Sequence, residues 1–135
     1  MDGEFVDTSA WVALFDADDS NHAAAAAHWT KLQQNRTPLY TTDYILDESI
    51  TLARRRAGHA VAVSLGTAML SSQAVNLVEV SADLRGEAWL LFLRYADKVL
   101  SFTDCASFAA MHRLGLYQAF SFDEDFVQVG FVRRP

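Results

Sequence analysis

The chain has 135 residues, of which 51% are hydrophobic and 21% are charged, and this composition excludes a disordered chain and fits one folded domain. Its formal net charge of −6 argues against broad electrostatic binding of nucleic acid, unless several of its 17 acidic residues bind divalent cations that invert the local field. We therefore predict a single domain over residues 1–135.

No apolar run approaches the roughly 20 residues that a membrane-spanning helix needs. The opening segment MDGEFVDTSA lacks the basic and then apolar layout of a signal peptide, and Cys105 is the only cysteine. These features predict a protein of the reducing cytosol, with no membrane segment, no intrachain disulfide and no cysteine-based zinc site.

The first third of the chain predicts two strands and two helices in alternation. The segment EFVDTS is typical of a short buried strand ending at Asp7, and Ser9 is placed to cap a helix over AWVALFDA. After a polar break, the alanine-rich segment NHAAAAAHWTKLQQ predicts a second helix. The next strand, PLYTT, leads into the middle of the chain.

The middle third predicts three helices and one strand. A helix runs from about 44 to 57 and ends at Gly58, and a second runs from about 60 to 71. The alternating segment AVNLVEV predicts a strand, and Ser81 can start the helix that carries Trp89.

In the last third, Thr103 is placed to cap a helix within SFTDCASFAAMHRLGL. The segment QAFSFDEDF predicts a short strand and an acidic turn, and the final Arg133 and Arg134 are interpreted as a flexible tail. Strands that alternate with helices predict an α/β fold with a mainly parallel sheet covered by helices on both faces. In such sheets, ligands bind beyond the carboxyl ends of the strands.

Four acidic residues are predicted to meet at that edge. Asp7 and Asp123 each follow a strand, Asp104 opens a helix after a short extended segment, and Glu48 lies about one turn into a helix. Carboxylates brought together repel one another unless a cation neutralises them, and oxygen ligands favour magnesium or manganese. The sequence thus predicts a metal site suited to phosphodiester cleavage, with one or two ions.

Taken singly, three of these acids have simpler explanations. Asp104 can favour the dipole of its helix, Asp123 can be a turn residue, and Glu48 can face solvent. Asp7 differs because an acid at the end of a buried strand, beside Phe5 and Val6, is costly to bury without a partner. Asp7 is therefore the one acid that indicates a function by itself.

The four acids lie in four segments of the chain, which are, in order, VDTSAWVALFDADDSNHAAA, TTDYILDESITLARRR, LSFTDCASFAAMHRLGL and AFSFDEDF. Together these segments resemble the PIN domain family, and specifically the VapC-like ribonuclease toxins of bacterial toxin–antitoxin pairs. The resemblance places the family's four acids at Asp7, Glu48, Asp104 and Asp123, with Asp125 as the alternative for the fourth. It also gives Ser9 the position of a hydroxyl that orients a carboxylate or water, beside its possible role as a helix cap.

The same resemblance implies a three-layer α/β/α sandwich, Mg²⁺ or Mn²⁺ at the acids, and endonucleolytic cleavage of RNA. Asp7 and Asp104 would be the principal metal ligands, with Glu48 and Asp123 completing or tuning the site. The implied partners are an RNA substrate, a small cognate antitoxin and a second copy of the chain in a homodimer.

Arg54 and Arg55 lie near the end of the helix that carries Glu48, where they can bind RNA phosphates or serve as solvated cations at a helix C-terminus. Together with Arg56 they point in three directions, so at most two can face the cleft. We interpret His22 and His28 as surface residues. The three tryptophans, Trp11, Trp29 and Trp89, are predicted in the core or at a dimer interface.

Three alternatives to an RNA-cleaving toxin stay open. The first is a nuclease of the same fold that acts in RNA processing. The second is a phosphatase with Asp7 as nucleophile, but it would need an aspartate where Ser9 stands. The third is a binding module without catalysis, which the four intact acids disfavour.

Overall fold

The computed structural model describes residues 3–135, so Met1 and Asp2 of the predicted domain lie outside the described residues. The strands are β1 (Glu4–Val6), β2 (Leu39–Thr42), β3 (Val75–Val78), β4 (Gln118–Phe120) and β5 (Val132–Arg134). The helices are α1 (Thr8–Phe15), α2 (His22–Gln34), α3 (Asp43–Ala57), α4 (His59–Ser71), α5 (Ala82–Arg94), α6 (Phe102–Leu114) and α7 (Asp125–Gln128). Within this part of the chain, no helix is long and apolar enough to cross a membrane.

The five strands form one parallel sheet in the order β3-β2-β1-β4-β5. All three residues of the central strand β1 are buried, and successive side chains of a strand point to opposite faces, so both faces of the sheet are covered. Helices α1 to α4 pack on one another, and α5 packs on α6. The predicted three-layer α/β/α sandwich is therefore confirmed.

The core contains large apolar side chains from both the strands and the helices. Phe5 of β1 packs near Phe126, and Trp11 of α1 is also buried, so the start of the chain is held from both sides. Of the other two tryptophans, Trp29 is half-buried and contacts Trp11, whereas Trp89 is 51% exposed and stacks on Phe92. Trp89 is thus not a core residue.

Three predictions about local structure outside the candidate site are wrong, each because of a contact distant in sequence or a cap two residues earlier. Arg133 and Arg134 form β5, which pairs with β4, rather than a flexible tail. The helix predicted to start after Thr103 begins at Phe102, where Ser101 is the cap. His28 is buried rather than on the surface, because its Nε2 lies 2.8 Å from Oε2 of the buried Glu4.

Candidate active site

Asp7 lies between the central strand and the first helix. It follows Val6 directly and is the N-cap residue of α1, but its side chain does not cap that helix. Its Oδ2 instead accepts hydrogen bonds from the Ser9 hydroxyl at 3.1 Å and the Ser121 hydroxyl at 2.9 Å. The carboxylate is therefore held by two hydroxyls at the carboxyl edge of the sheet, although only 4% of the residue is exposed.

Ser9 does not cap α1, because the helix already begins at Thr8. Besides its bond to Asp7, the Ser9 oxygen accepts the backbone N–H of Phe122 at 2.9 Å. This bond ties the start of α1 to the segment after β4. The Ser9 hydroxyl is thus placed to orient the Asp7 carboxylate, as the resemblance implies, rather than to cap the helix.

Glu48 reaches the same edge from α3. Its Oε1 accepts a 2.6 Å hydrogen bond from the hydroxyl of Thr8, the residue next to Asp7. Glu48 is half-buried, whereas its neighbour Asp47 is exposed. Thr8 therefore fixes the position of Glu48 relative to Asp7.

Asp104 has a structural role as well as a place in the site. It is the third residue of α6 and forms a capping box with Ser101, in which each side chain bonds to the other's backbone N–H at 3.0 Å. The helix-start explanation for this acid is thus correct. It also lies close enough to Asp7 for its charge to raise the pKa of that residue.

Asp123 and Asp125 both join the cluster from the turn after β4. Oδ1 of Asp123 accepts the backbone N–H of Asp125 at 3.0 Å, and the backbone N–H of Asp123 donates to the Ser121 hydroxyl at 3.0 Å. Asp125 interacts with both Asp123 and Asp104. Geometry therefore leaves both residues as candidates for the fourth acid.

The cluster is electrostatically strained. Burial raises the pKa of Asp7 from its ordinary 3.8 to about 7, hydrogen bonds from Ser121 and Ser9 oppose the shift, and the charge of Asp104 adds to it. Burial, then the charges of Asp123 and Asp104, raise the pKa of Asp125 to about 6. Burial, with a contribution from Asp123, also raises the pKa of Asp104. Each of these groups would be stabilised in its ionised form by a nearby cation.

Among the described residues, no group of three or more His, Cys, Asp and Glu side chains is arranged to hold a metal ion by itself. Magnesium is commonly bound by only one or two carboxylates, with waters and substrate phosphate completing its shell. The chemistry of the donors fits such an ion, since the cluster offers carboxylate and hydroxyl oxygens, and the carboxylates disfavour one another's ionisation.

The structure separates the two arginines that the sequence grouped together. Arg55 lines a groove of about 440 Å³ that also contains Glu48. Arg54 points elsewhere, and its guanidinium contacts the Nδ1 atom of His59. Of these two arginines, Arg55 is therefore the one that lies on the Glu48 face of α3.

Sequence reasoning missed two residues of the site, Thr8 and Ser121. Both are buried and both hold a carboxylate of the cluster. Ser121 directly follows β4, as Asp7 follows β1, and this position at a strand end was the only signal that could have indicated it. Thr8 gave no signal, because its partner Glu48 lies 40 positions away.

Comparisons with known proteins identify the family of the chain. The PIN domain model matches residues 5–132. The 23S rRNA-specific endonuclease VapC20 of Mycobacterium tuberculosis is 40% identical over 133 residues, which cover 97% of this chain and 98% of that protein.

Solved structures give the same result. The crystal structure of M. tuberculosis VapC20, described as a sarcin–ricin loop cleaving toxin, superposes with a TM-score of 0.88 at 38% identity and covers 98% of this chain and 100% of that one. VapBC2 from Rickettsia felis, bound to a DNA fragment from its promoter, has a TM-score of 0.71 at 9% identity, covers 97% and 96% of the two chains, and shows the fold alone. The chain belongs to the PIN domain family, within its VapC-like group.

Proposed function

We propose that this chain is an endoribonuclease toxin of the VapC type, which hydrolyses RNA phosphodiester bonds with a divalent cation, Mg²⁺ or Mn²⁺, at the carboxylate cluster. The observation that carries the proposal is the buried Asp7 carboxylate at the carboxyl edge of the parallel sheet, whose pKa is raised by burial and by the charge of Asp104. The 40% identity to an rRNA endonuclease supports the same reaction.

Asp7 and Asp104 would be the principal ligands of the cation, with Glu48 and Asp123, or Asp125 in place of Asp123, completing the site. When bound, the cation supplies positive charge for the reacting phosphate and lowers the pKa of water. Ser9 and Ser121 hold the Asp7 carboxylate from one side, which limits its rotation.

The substrate that we propose is the sarcin–ricin loop of 23S rRNA, by similarity to VapC20. Recognition of the shape of a structured loop agrees with the acidic net charge of −6, because it does not need a broad basic surface. This choice favours a toxin over a nuclease of RNA processing.

The proposed partners are a cognate antitoxin, as the VapBC name of a structural neighbour suggests, and a second copy of the chain. The homodimer is supported by large apolar side chains that α5 leaves exposed, namely Trp89, Leu90, Phe92 and Leu93. We propose the cytoplasm as the site of action, because ribosomes are there.

The test is to sequence the RNA ends that appear in cells after brief induction of the wild type, of Asp7→Asn and of Asp18→Asn. Asp18 is an exposed acid outside the cluster and serves as the matched control. We expect new ends within 23S rRNA, together with growth arrest, for the wild type and Asp18→Asn but not for Asp7→Asn. Equal cleavage by Asp7→Asn would reject the site, and ends confined to other RNAs would reject the substrate.

A further inference from the structure

The groove beside Glu48 has features of a path for the RNA backbone. We define the α3 groove by the residues that line it, which are Asp47, Glu48, Thr51, Leu52, Arg55 and Thr103. One wall is α3, and Thr103, next to Asp104, stands at the other. The α3 groove therefore starts at the carboxylate cluster and leads away from it along the helix.

The spacing along α3 places four of these residues on one helical face. Glu48, Thr51, Leu52 and Arg55 stand at positions i, i+3, i+4 and i+7, which is the repeat of a single face. Arg55 lies two turns from Glu48, about 10 Å along the helix axis. Its side chain leans toward the helix N-terminus, and so back toward Glu48.

Arg55 is also chemically available. Among residues 3–135, its guanidinium has no hydrogen bond or ion pair, whereas Arg54 contacts His59, Arg113 bonds to Glu87 and Arg133 bonds to Glu124. Of the described residues that line the groove, Arg55 is the only cation. The two acids that line the groove, Asp47 and Glu48, lie at the end opposite Arg55.

We infer that Arg55 binds a backbone phosphate of the RNA substrate, about two helical turns from the carboxylate cluster, while Arg54 does not. The inference rests on the proposed function and adds to it the residue that holds the strand beside the cleavage site. An arginine fork binds a phosphate through two parallel hydrogen bonds, and the Thr51 and Thr103 hydroxyls offer further contacts to the backbone.

A favourable interaction with the helix dipole does not account for this difference. Arg54, Arg55 and Arg56 all lie in the last turn of α3, so each receives the same benefit from the C-terminal dipole. Arg55 differs from Arg54 in lining the α3 groove and in lacking the contact that Arg54 makes with His59. Arg54 is thus a control matched in charge, helix position and exposure.

The experiment measures binding of a stem–loop RNA with the sarcin–ricin sequence to Arg55→Glu and Arg54→Glu. Both carry Asp7→Asn so that the RNA stays intact. We expect Arg55→Glu to weaken binding by about tenfold or more at 0.1 M salt, and Arg54→Glu by less than about threefold. Arg55→Ala should lower the slope of log affinity against log salt by about 0.7–0.9, the value for one phosphate contact.

Kinetics with an intact Asp7 give a second readout. Arg55→Ala should raise KM and leave kcat within about twofold, because the lost contact holds substrate rather than the reacting atoms. Equal effects of Arg54→Glu and Arg55→Glu, with an active wild type, would overturn the Arg55 assignment and leave the proposed function standing. A wild type that neither binds nor cleaves this RNA would overturn both.

Discussion

Strand β1 carries a buried carboxylate at each end, with Glu4 at its start and Asp7 directly after its last residue. The two are almost equally buried, at 5% and 4% exposed. Glu4 meets the imidazole of His28, whose Nε2 lies 2.8 Å from its Oε2. Asp7 meets two serine hydroxyls and the charge of Asp104, and its pKa rises to about 7.

This difference shows which buried acid the fold satisfies by itself. A buried carboxylate is costly unless it is paired, and the fold supplies a partner at the amino end of the strand. At the carboxyl end it gathers further acids instead. We infer that a ligand outside the chain, a divalent cation, completes the second site.

The largest effect on folding should come from removing the contact between His28 and Glu4. His28→Leu leaves Glu4 buried without its partner and should lower the free energy of unfolding by about 3 kcal/mol. Adding Glu4→Gln to that variant should recover part of the loss, because an amide costs less to bury than a charge. Urea denaturation measures both. A change below about 0.5 kcal/mol in His28→Leu would show that the pair does not stabilise the fold.

Substitution at the other end of β1, at Asp7, should instead raise the free energy of unfolding, and the gain should grow with pH. The folded pKa of Asp7, about 7, exceeds its ordinary 3.8, so its contribution to stability is full below about pH 4 and is lost as the pH rises through 7. Asp7→Asn removes this loss. In EDTA, the variant should therefore gain about 2–3 kcal/mol more over the wild type at pH 8 than at pH 5.

Asp18→Asn is the control for that measurement, since Asp18 is exposed and outside the cluster. Its difference from the wild type should stay constant between the two pH values. If the difference between Asp7→Asn and the wild type is also constant, the pKa of Asp7 is not raised in the folded protein.

A smaller effect is expected where the serine hydroxyls hold Asp7. Ser121→Ala removes a 2.9 Å bond to Asp7 and should reduce kcat for RNA cleavage by about tenfold, within the range for residues that orient metal ligands. Ser121→Thr keeps a hydroxyl and should restore most of the activity. Raising the Mg²⁺ concentration should partly rescue the alanine variant. Equal losses in both variants, without rescue, would indicate a packing effect instead.

Much of the fold was predictable from sequence periodicity. The strands that contain Phe5, Tyr40 and Leu77 and the helix ended by Gly115 lie where the apolar patterns place them. The strand β5 was missed because three residues, two of them arginine, give no alternating pattern. It forms because β4 offers a free edge, which is a tertiary property.

The sequence named the acids of the candidate site, and their role stays a prediction, whereas it did not reveal the side chains that hold them. Asp7 was indicated by its position at the end of a strand predicted to be buried, and its raised pKa agrees with that reasoning. His28 was misread, because a histidine in an alanine-rich helix gives no sign of a buried Glu4 24 positions earlier. Thr8 and Ser121 act across the fold, so local patterns could not reveal them.

If a divalent cation binds at Asp7, as we propose, Mg²⁺ should stabilise the folded protein through that residue, and thermal unfolding with and without Mg²⁺ measures this. The wild type and Asp7→Asn would be melted at pH 8 in EDTA and in a few millimolar MgCl₂ at equal ionic strength. We predict that Mg²⁺ raises the Tm of the wild type by roughly 5 °C and leaves that of Asp7→Asn unchanged. The same shift in both proteins, or no shift in the wild type, would show that no such cation binds at Asp7.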